Sequence, residues 1–162
     1  MSRTLLTPVL LAGGMALVLA GAVAVEHGES GMGEHILHKV DEIEWAAGPP
    51  SLPAGAEFVV LEGDPSQEGI FTMRLRLPDG YLIPPHTHPK VERVTVLSGT
   101  FHLGMDASGD PDATVTLDTG SYTAMPPGMV HYAIAEGETV VQLTSTGPWE
   151  IHYINPEDDP RL

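Results

Sequence analysis

A chain of 162 residues has room for one domain and is long enough to bury a hydrophobic core. Its 22 acidic residues face only 7 Lys and Arg, and the formal net charge of -15 argues against binding to nucleic acid or to anionic lipid surfaces. The 15 prolines and 18 glycines favour a turn-rich β protein over a helical one, and the lack of cysteine excludes disulfides and lipidation at a cysteine.

The first segment has the layout of a secretory signal peptide. Arg3 precedes an apolar run over residues 5–20, and Ala22-Val23-Ala24 provides a small-x-small cleavage site. We therefore predict a signal peptide over residues 1–24 and export to the periplasm or the cell exterior. The alternative is an uncleaved membrane anchor, because residues 4–25 carry no charge and are long enough to span a bilayer.

Residues 25–54 are predicted to be an N-terminal extension and linker. Residues 26–38 are rich in Gly, Glu and His, which is typical of a solvated linker, with a metal-capturing tail as the alternative. A short first strand is expected over residues 40–45, with Val40 and Ile43 partly buried. The Pro-rich stretch 48–55 is expected to be an ordered loop.

Residues 55–155 carry the strands of the predicted domain, and residues 156–162 form a C-terminal tail. Residues 70–77 alternate between apolar and polar side chains, which predicts a strand with its apolar face buried and with Arg74 and Arg76 on the surface or at a subunit interface. Residues 91–97 are expected to form the central strand, with Val94 and Val96 pointing inward. Further strands are expected over residues 58–61, 100–105, 114–117, 132–135, 139–144 and 151–154.

Two of the connections are predicted to be turns. Ser98-Gly99 is expected to reverse the chain, so that residues 100–105 return antiparallel to the central strand. Residues 136–138, Glu-Gly-Glu, are expected to separate two later strands in the same way. The predicted topology is therefore a series of short strands joined by tight turns.

Three potential metal ligands lie between Gly80 and Gly99. His86 and His88 are two residues apart, so on an extended chain both imidazoles project from one face, and Glu92 shares their parity. A second Gly/Pro-framed segment places His131 just after Pro126-Pro127-Gly128. Imidazoles with one carboxylate suit Mn, Fe, Ni, Cu or Zn better than Ca or Mg.

These two segments resemble the motifs of the cupin superfamily, as in small exported bacterial cupins. The first motif, Gly-x5-His-x-His-x3-Glu-x6-Gly, is complete from Gly80 to Gly99. The second, Gly-x5-Pro-x-Gly-x2-His-x3-Asn, is met by Gly120, Pro126, Gly128 and His131, but Ala135 stands at the Asn position. The resemblance implies an all-β, single-domain jelly-roll barrel (a double-stranded β-helix) in which His86, His88, Glu92 and His131 coordinate one divalent transition metal.

The resemblance leaves two functions open. Four protein ligands leave one or two metal positions free, which is typical of a catalytic site and favours a metal-dependent oxidoreductase of the dioxygenase kind, as in quercetinase-type cupins, with Glu92 as ligand or general base. The alternative is a non-catalytic module that binds a metal or small ligand, as in the zinc-binding cupin domain of some anti-sigma factors. The expected partner is a small molecule, and a homodimer paired through sheet edges is possible for a small barrel.

The positions of several further side chains relative to the metal are predicted from their place in the sequence near the motifs. His102 is expected to face away from the metal, and His152 is expected to lie in an edge strand and not to be a ligand. The candidates for the surroundings of the ligands are Tyr81, Tyr122, Met125 and Gln142.

Overall fold

The barrel is built by strands whose apolar residues alternate with polar ones. The computed structural model describes residues 35–162, so the predicted signal peptide over residues 1–24, and the linker residues before His35, lie outside the described residues. Nine strands are described: β1 (Ala46–Ala47), β2 (Glu57–Glu62), β3 (Gly69–Leu77), β4 (Leu82–Thr87), β5 (Glu92–Gly104), β6 (Thr114–Asp118), β7 (Tyr122–Met125), β8 (His131–Gly147) and β9 (His152–Tyr153). Single 3₁₀ turns occur at Val40–Glu42, Pro111–Ala113 and Pro156–Asp158.

All strand pairings are antiparallel. One path runs in the order β1-β2-β3-β8-β4-β9, and β5 pairs with β6, β7 and β8. The long strands β5 and β8 therefore belong to both halves of the barrel. This is the all-β double-stranded β-helix that the sequence predicts.

The core confirms the alternation predicted for β3. Phe71, Met73, Leu75 and Leu77 are buried, and the arginines between them lie on the outer face. There Arg76 stacks over Trp45, with its guanidinium carbon 4.6 Å from the ring centroid, and pairs with Glu57. The side chains of Val94 and Val96 on β5 are buried as expected.

Both predicted turns are wrong, because the chain bends at these points without reversing. β5 continues through Gly99 and β8 through Gly137, and the two strands pair with each other on both sides of the bends. Gly99 has φ +77° and Gly137 has φ +69°, values that glycine adopts without steric cost. The register of the β5–β8 pair shifts between Val96 and Thr100, so the glycines mark bulges that curve the sheet.

The first predicted strand is also misplaced. Residues 40–42 form a 3₁₀ turn, Val40 is 83% exposed, and only the two residues of β1 pair with β2. The loop over residues 48–55 is present as expected, and its Leu52 is buried against the barrel. Among residues 35–162, no helix is both long and apolar enough to cross a membrane.

Candidate metal centre

Three strands and one loop bring the predicted ligands together inside the barrel. His86, near the end of β4, is the register partner of His131 at the start of β8, and Glu92 opens β5. His88 lies just beyond the end of β4. One ligand atom from each of the four residues lies within 4.8 Å of the others, and all four residues are buried. The structure thus contains a candidate metal site.

Each imidazole uses its Nδ1 atom to hold the ring in place. Nδ1–H of His86 donates to the Pro84 carbonyl (2.6 Å), that of His88 to the Glu150 carbonyl (2.6 Å) and that of His131 to the Met129 carbonyl (3.0 Å). A carbonyl oxygen can only accept, so in the neutral rings Nδ1 carries the proton and Nε2 keeps its lone pair. This backbone support is typical of histidines that bind metals.

The donor atoms face one another in an arrangement that a cation would stabilise. Oε2 of Glu92 lies 3.1 Å from Nε2 of His131 and 3.3 Å from Nε2 of His88. Nε2 of His88 is buried and has no hydrogen-bond partner. Lone pairs of neutral imidazoles that face a buried carboxylate repel it unless a proton or a metal ion lies between them. The donor set therefore fits a divalent transition metal.

The pKa values of the cluster residues also favour a bound cation. Burial, together with the neighbouring His131 and His88, lowers the pKa of His86 to about 3 and keeps this ring neutral at physiological pH. Burial alone raises the pKa of Glu92, but His131 and His88 outweigh it and hold that pKa below its ordinary value. Burial lowers the pKa of His88, yet the Glu92 carboxylate and the Glu150 carbonyl outweigh it and raise that pKa above its ordinary value. The site thus keeps the Glu92 carboxylate charged, and this charge favours a cation beside Nε2 of His88.

A small apolar cavity adjoins the cluster. Its volume is about 30 Å³, room for about one or two waters. Three of the four cluster residues, His86, Glu92 and His131, border this space. The rest of its lining is apolar: Leu75, Ile83, Val94, Phe101, Leu103, Met125, Ala133, Val141 and Leu143. A ligand of one or two heavy atoms can therefore lie next to the donors, shielded from bulk water.

The structure sorts the other residues predicted to surround the site. Met125 lines the cavity as expected, and Tyr81 is buried, but its hydroxyl donates to the Pro53 carbonyl. Tyr122 is 60% exposed, and Gln142 accepts from Arg74 Nε on the outer face. The expectations for Tyr122 and Gln142 are wrong because both residues have the outward parity of their strands.

The remaining histidines of the described residues lie outside the cluster. His102 faces Glu136 on the outer surface (2.8 Å), and His152 faces Glu150 in the same way (2.8 Å). His35 and His38 are exposed, and Nε2 of His38 lies 2.8 Å from the Leu61 carbonyl.

Sequence reasoning missed the aromatic residues that follow β8. The ring of Trp149 stacks on His88, with centroids 5.0 Å apart and planes 19° from parallel, and the ring of Tyr153 lies 6.0 Å from that of His86. The one available signal was the concentration of aromatic residues at positions 149–153, because nothing in the local sequence relates them to His88.

Comparisons with known proteins agree with this fold. A germin-like protein 5-1 from Oryza sativa subsp. japonica is 33% identical over 96 residues, which are 59% of this chain and 43% of the rice protein. The chain thus spans less than half the length of that relative. The solved polyketide cyclase RemF from Streptomyces resistomycificus superposes with a TM-score of 0.61 at 18% identity, over 79% of this chain and 90% of that one. A RmlC-like cupin from Shewanella frigidimarina NCIMB 400 superposes with a TM-score of 0.54 at 17% identity, over 70% of this chain and 90% of that one.

The solved structures confirm the double-stranded β-helix fold. The sequence identity shows a distant relationship to the germin-like proteins. The model of the family described as the ChrR cupin-like domain matches residues 33–150, which is most of the sequence and includes both ligand motifs. The chain therefore belongs to the ChrR cupin-like domain family of the cupin superfamily.

Proposed function

We propose that this protein binds one divalent transition-metal ion (Fe, Mn, Ni, Cu or Zn) through His86, His88, Glu92 and His131, and that it is an oxidoreductase of the dioxygenase kind acting on a small organic molecule. The observation that carries the metal site is the convergence of four buried donors within 4.8 Å. A redox-active ion held there supplies electron transfer to a small ligand, whereas zinc supplies only Lewis-acid chemistry.

The protein residues have separate tasks in this proposal. The backbone carbonyls fix the three imidazoles with Nε2 towards the site, and Glu92 supplies the negative charge that attracts and partly neutralises the cation. Glu92 borders the cavity, so its carboxylate is also placed to accept a proton from a bound molecule. The apolar lining keeps bulk water away from that exchange.

The size of the cavity limits the substrate. About 30 Å³ is too little for a whole organic molecule, so we propose that the substrate presents a group of one or two heavy atoms to the site.

The second candidate is a non-catalytic module that binds a metal or small ligand. It is favoured by the match to the ChrR cupin-like domain, whose description names a domain and no reaction, and by the small volume of the cavity. The two candidates differ in one property, since an enzyme must turn over a substrate and a binding module need not.

We also propose, from the sequence, that the protein is exported and that homodimers form through exposed sheet edges. The formal charge of -15 supports a small-molecule ligand over nucleic acid.

The cavity offers a direct test of the oxidoreductase. Ala133→Val adds two carbon atoms to the cavity wall, and Ala135→Val adds the same atoms to a buried site on the same strand that does not border the cavity. Both variants are loaded with each redox-active metal, and oxygen consumption is measured with enolic and phenolic substrates. Loss of turnover in Ala133→Val alone supports the proposal. Metal-loaded wild-type protein that consumes no oxygen with any substrate moves the assignment to the binding module.

A further inference from the structure

One of the four candidate ligands lacks the support that the other three receive from the sheet. His86 and His131 are register partners in the β4–β8 ladder, and Glu92 pairs with Met125 in the β5–β7 ladder. β4 ends at Thr87, so His88 lies beyond the last paired residue. The Gly128 N–H donates to the His88 carbonyl (2.9 Å), which holds the backbone but leaves the side chain free to rotate.

The residues that follow β8 supply the missing support. The Glu150 carbonyl accepts Nδ1–H of His88, and the Trp149 ring lies flat against the imidazole at 5.0 Å. The hydrogen bond fixes the tautomer, and the stacked ring restricts rotation of the imidazole about its bond to Cβ. Both contacts cross about 60 residues of sequence and belong to neither ligand motif.

Trp149 is itself held in place. Its backbone N–H donates to the Pro65 carbonyl (2.7 Å), and its ring meets the fully buried ring of Phe71 edge-on, with centroids 6.4 Å apart. The indole Nε1–H is buried without a hydrogen-bond partner, so the ring contributes through its shape and its face.

We propose that Trp149 is a positioning residue for the metal centre, which sets the orientation of His88 and thereby the affinity for the metal. The proposal rests on the metal site proposed above and adds residues 149 and 150 to the structure that determines its affinity. Phenylalanine preserves an aromatic face and removes the unpaired donor, whereas alanine removes the face.

The test uses Co²⁺, whose visible absorption reports binding directly. Because loss of an outer-shell partner typically weakens metal binding by about 10–100-fold, we expect that loss in Trp149→Ala, and less than about threefold in Trp149→Phe. Trp45→Ala is the matched control, since Trp45 stacks on Arg76 outside the site, and its Co²⁺ affinity should equal that of the wild type. Wild-type affinity in Trp149→Ala, or an equal loss in Trp45→Ala, would overturn the proposal.

A second arm needs no truncation of Trp149. The chain contains two tryptophans, so Trp45→Phe leaves Trp149 as the single indole. Co²⁺ at a centre that includes His88 should quench its fluorescence in step with the growth of the cobalt absorption. Cobalt binding without quenching would contradict the stacked arrangement, even if Trp149→Ala fails to fold.

A protein that binds no metal can be distinguished from one in which Trp149 does not orient His88. Wild-type protein that binds no Co²⁺ refutes the proposed metal site. In that case ¹⁵N NMR of the metal-free protein, at a pH where the imidazoles are neutral, tests positioning alone. A ring that rotates without Trp149 loses its hydrogen bond to the Glu150 carbonyl, so His88 should be a single Nδ1–H tautomer in the wild type and a mixture in Trp149→Ala. An unchanged tautomer would refute the role of Trp149.

Discussion

Each of the three histidines donates from one ring nitrogen to a backbone carbonyl, and His88 and His131 turn the other nitrogen towards Glu92. Because these carbonyls belong to folded backbone, the rings are oriented before any ion arrives, and little side-chain entropy is lost on binding. The same arrangement places lone pairs next to a buried carboxylate, which is unfavourable in the metal-free protein. A bound cation removes this repulsion, so metal binding and fold stability are coupled.

Glu92→Gln tests the electrostatic part of this coupling. Glutamine keeps the shape of the side chain but removes the charge that faces His88 and His131. Loss of an outer-shell partner already costs about 10–100-fold in metal affinity, so removal of this charge should cost at least about 100-fold, measured by competition with a chelator.

Glu136→Gln is the matched control, because Glu136 faces His102 at 2.8 Å on the outer surface. Its metal affinity should match that of the wild type. Equal metal affinities in the wild type and in Glu92→Gln would show that the Glu92 carboxylate does not take part in metal binding.

At the scale of the strands, β5 and β8 determine where the ligands lie. Each strand starts with a candidate ligand, Glu92 or His131, and then crosses the barrel to pair along both halves. The bends are packed together: the Thr139 hydroxyl donates to the Thr100 carbonyl (3.0 Å), next to Gly99. A strand that reversed at Gly99 would leave half of β8 without its partner.

Gly99→Ala should be more destabilising than Gly137→Ala. Both glycines have positive φ, so alanine at either position costs about 1–2 kcal/mol. At position 99 the new Cβ would also lie 2.5 Å from Thr139 Oγ1 and 2.6 Å from the Glu138 carbonyl oxygen, whereas at position 137 it meets no atom within 4 Å.

The extra overlap should lower the free energy of unfolding by about another 1–3 kcal/mol, measured by urea denaturation of the metal-free variants. Equal losses in the two variants would show that close packing of the bends contributes nothing to stability.

At the scale of the whole molecule, the sequence predicts the barrel and the ligand cluster because both depend on local patterns. The alternation over β3 and the spacing of His86, His88 and Glu92 are each contained in a short segment. The support from Trp149 could not be predicted in this way, because its contact with His88 exists only after the chain has closed the barrel.

The errors also have physical causes. A glycine with positive φ is compatible with a turn or with a bulge, and only the long-range pairing of β5 with β8 decides between them at Gly99 and Gly137. The misplacement of Gln142 was avoidable, since its neighbours Val141 and Leu143 are the inward residues of that stretch of β8.

The metal-free protein should lose stability in mild acid. Burial, with the neighbouring His131 and His88, holds the pKa of His86 at about 3 in the folded protein, against an ordinary value of 6.5. Between these values the unfolded chain binds a proton that the folded protein does not, so the free energy of unfolding falls as pH decreases, by up to about 1.4 kcal/mol per pH unit.

His88 and Glu92 change the free energy of unfolding in other pH ranges. The raised pKa of His88 adds stability as pH falls towards 6.5 and contributes no further change below it. The lowered pKa of Glu92 adds a further loss below its ordinary value of 4.5. Urea denaturation of metal-free protein between about pH 7 and about pH 4 checks the prediction, and His86→Gln should flatten the slope above about pH 4.5. An unchanged slope in that variant would show that His86 is not the group responsible.

The most direct test of the metal centre is elemental analysis of the purified protein beside two double variants. His86→Ala/His131→Ala removes two of the four donors, and His102→Ala/His152→Ala removes two histidines that face carboxylates on the outer surface. We predict one transition-metal ion per chain in the wild type and in the surface variant, and none in the variant that lacks His86 and His131. A folded wild-type protein that retains no metal after exposure to Fe, Mn, Ni, Cu and Zn, or equal retention in both variants, would contradict the account.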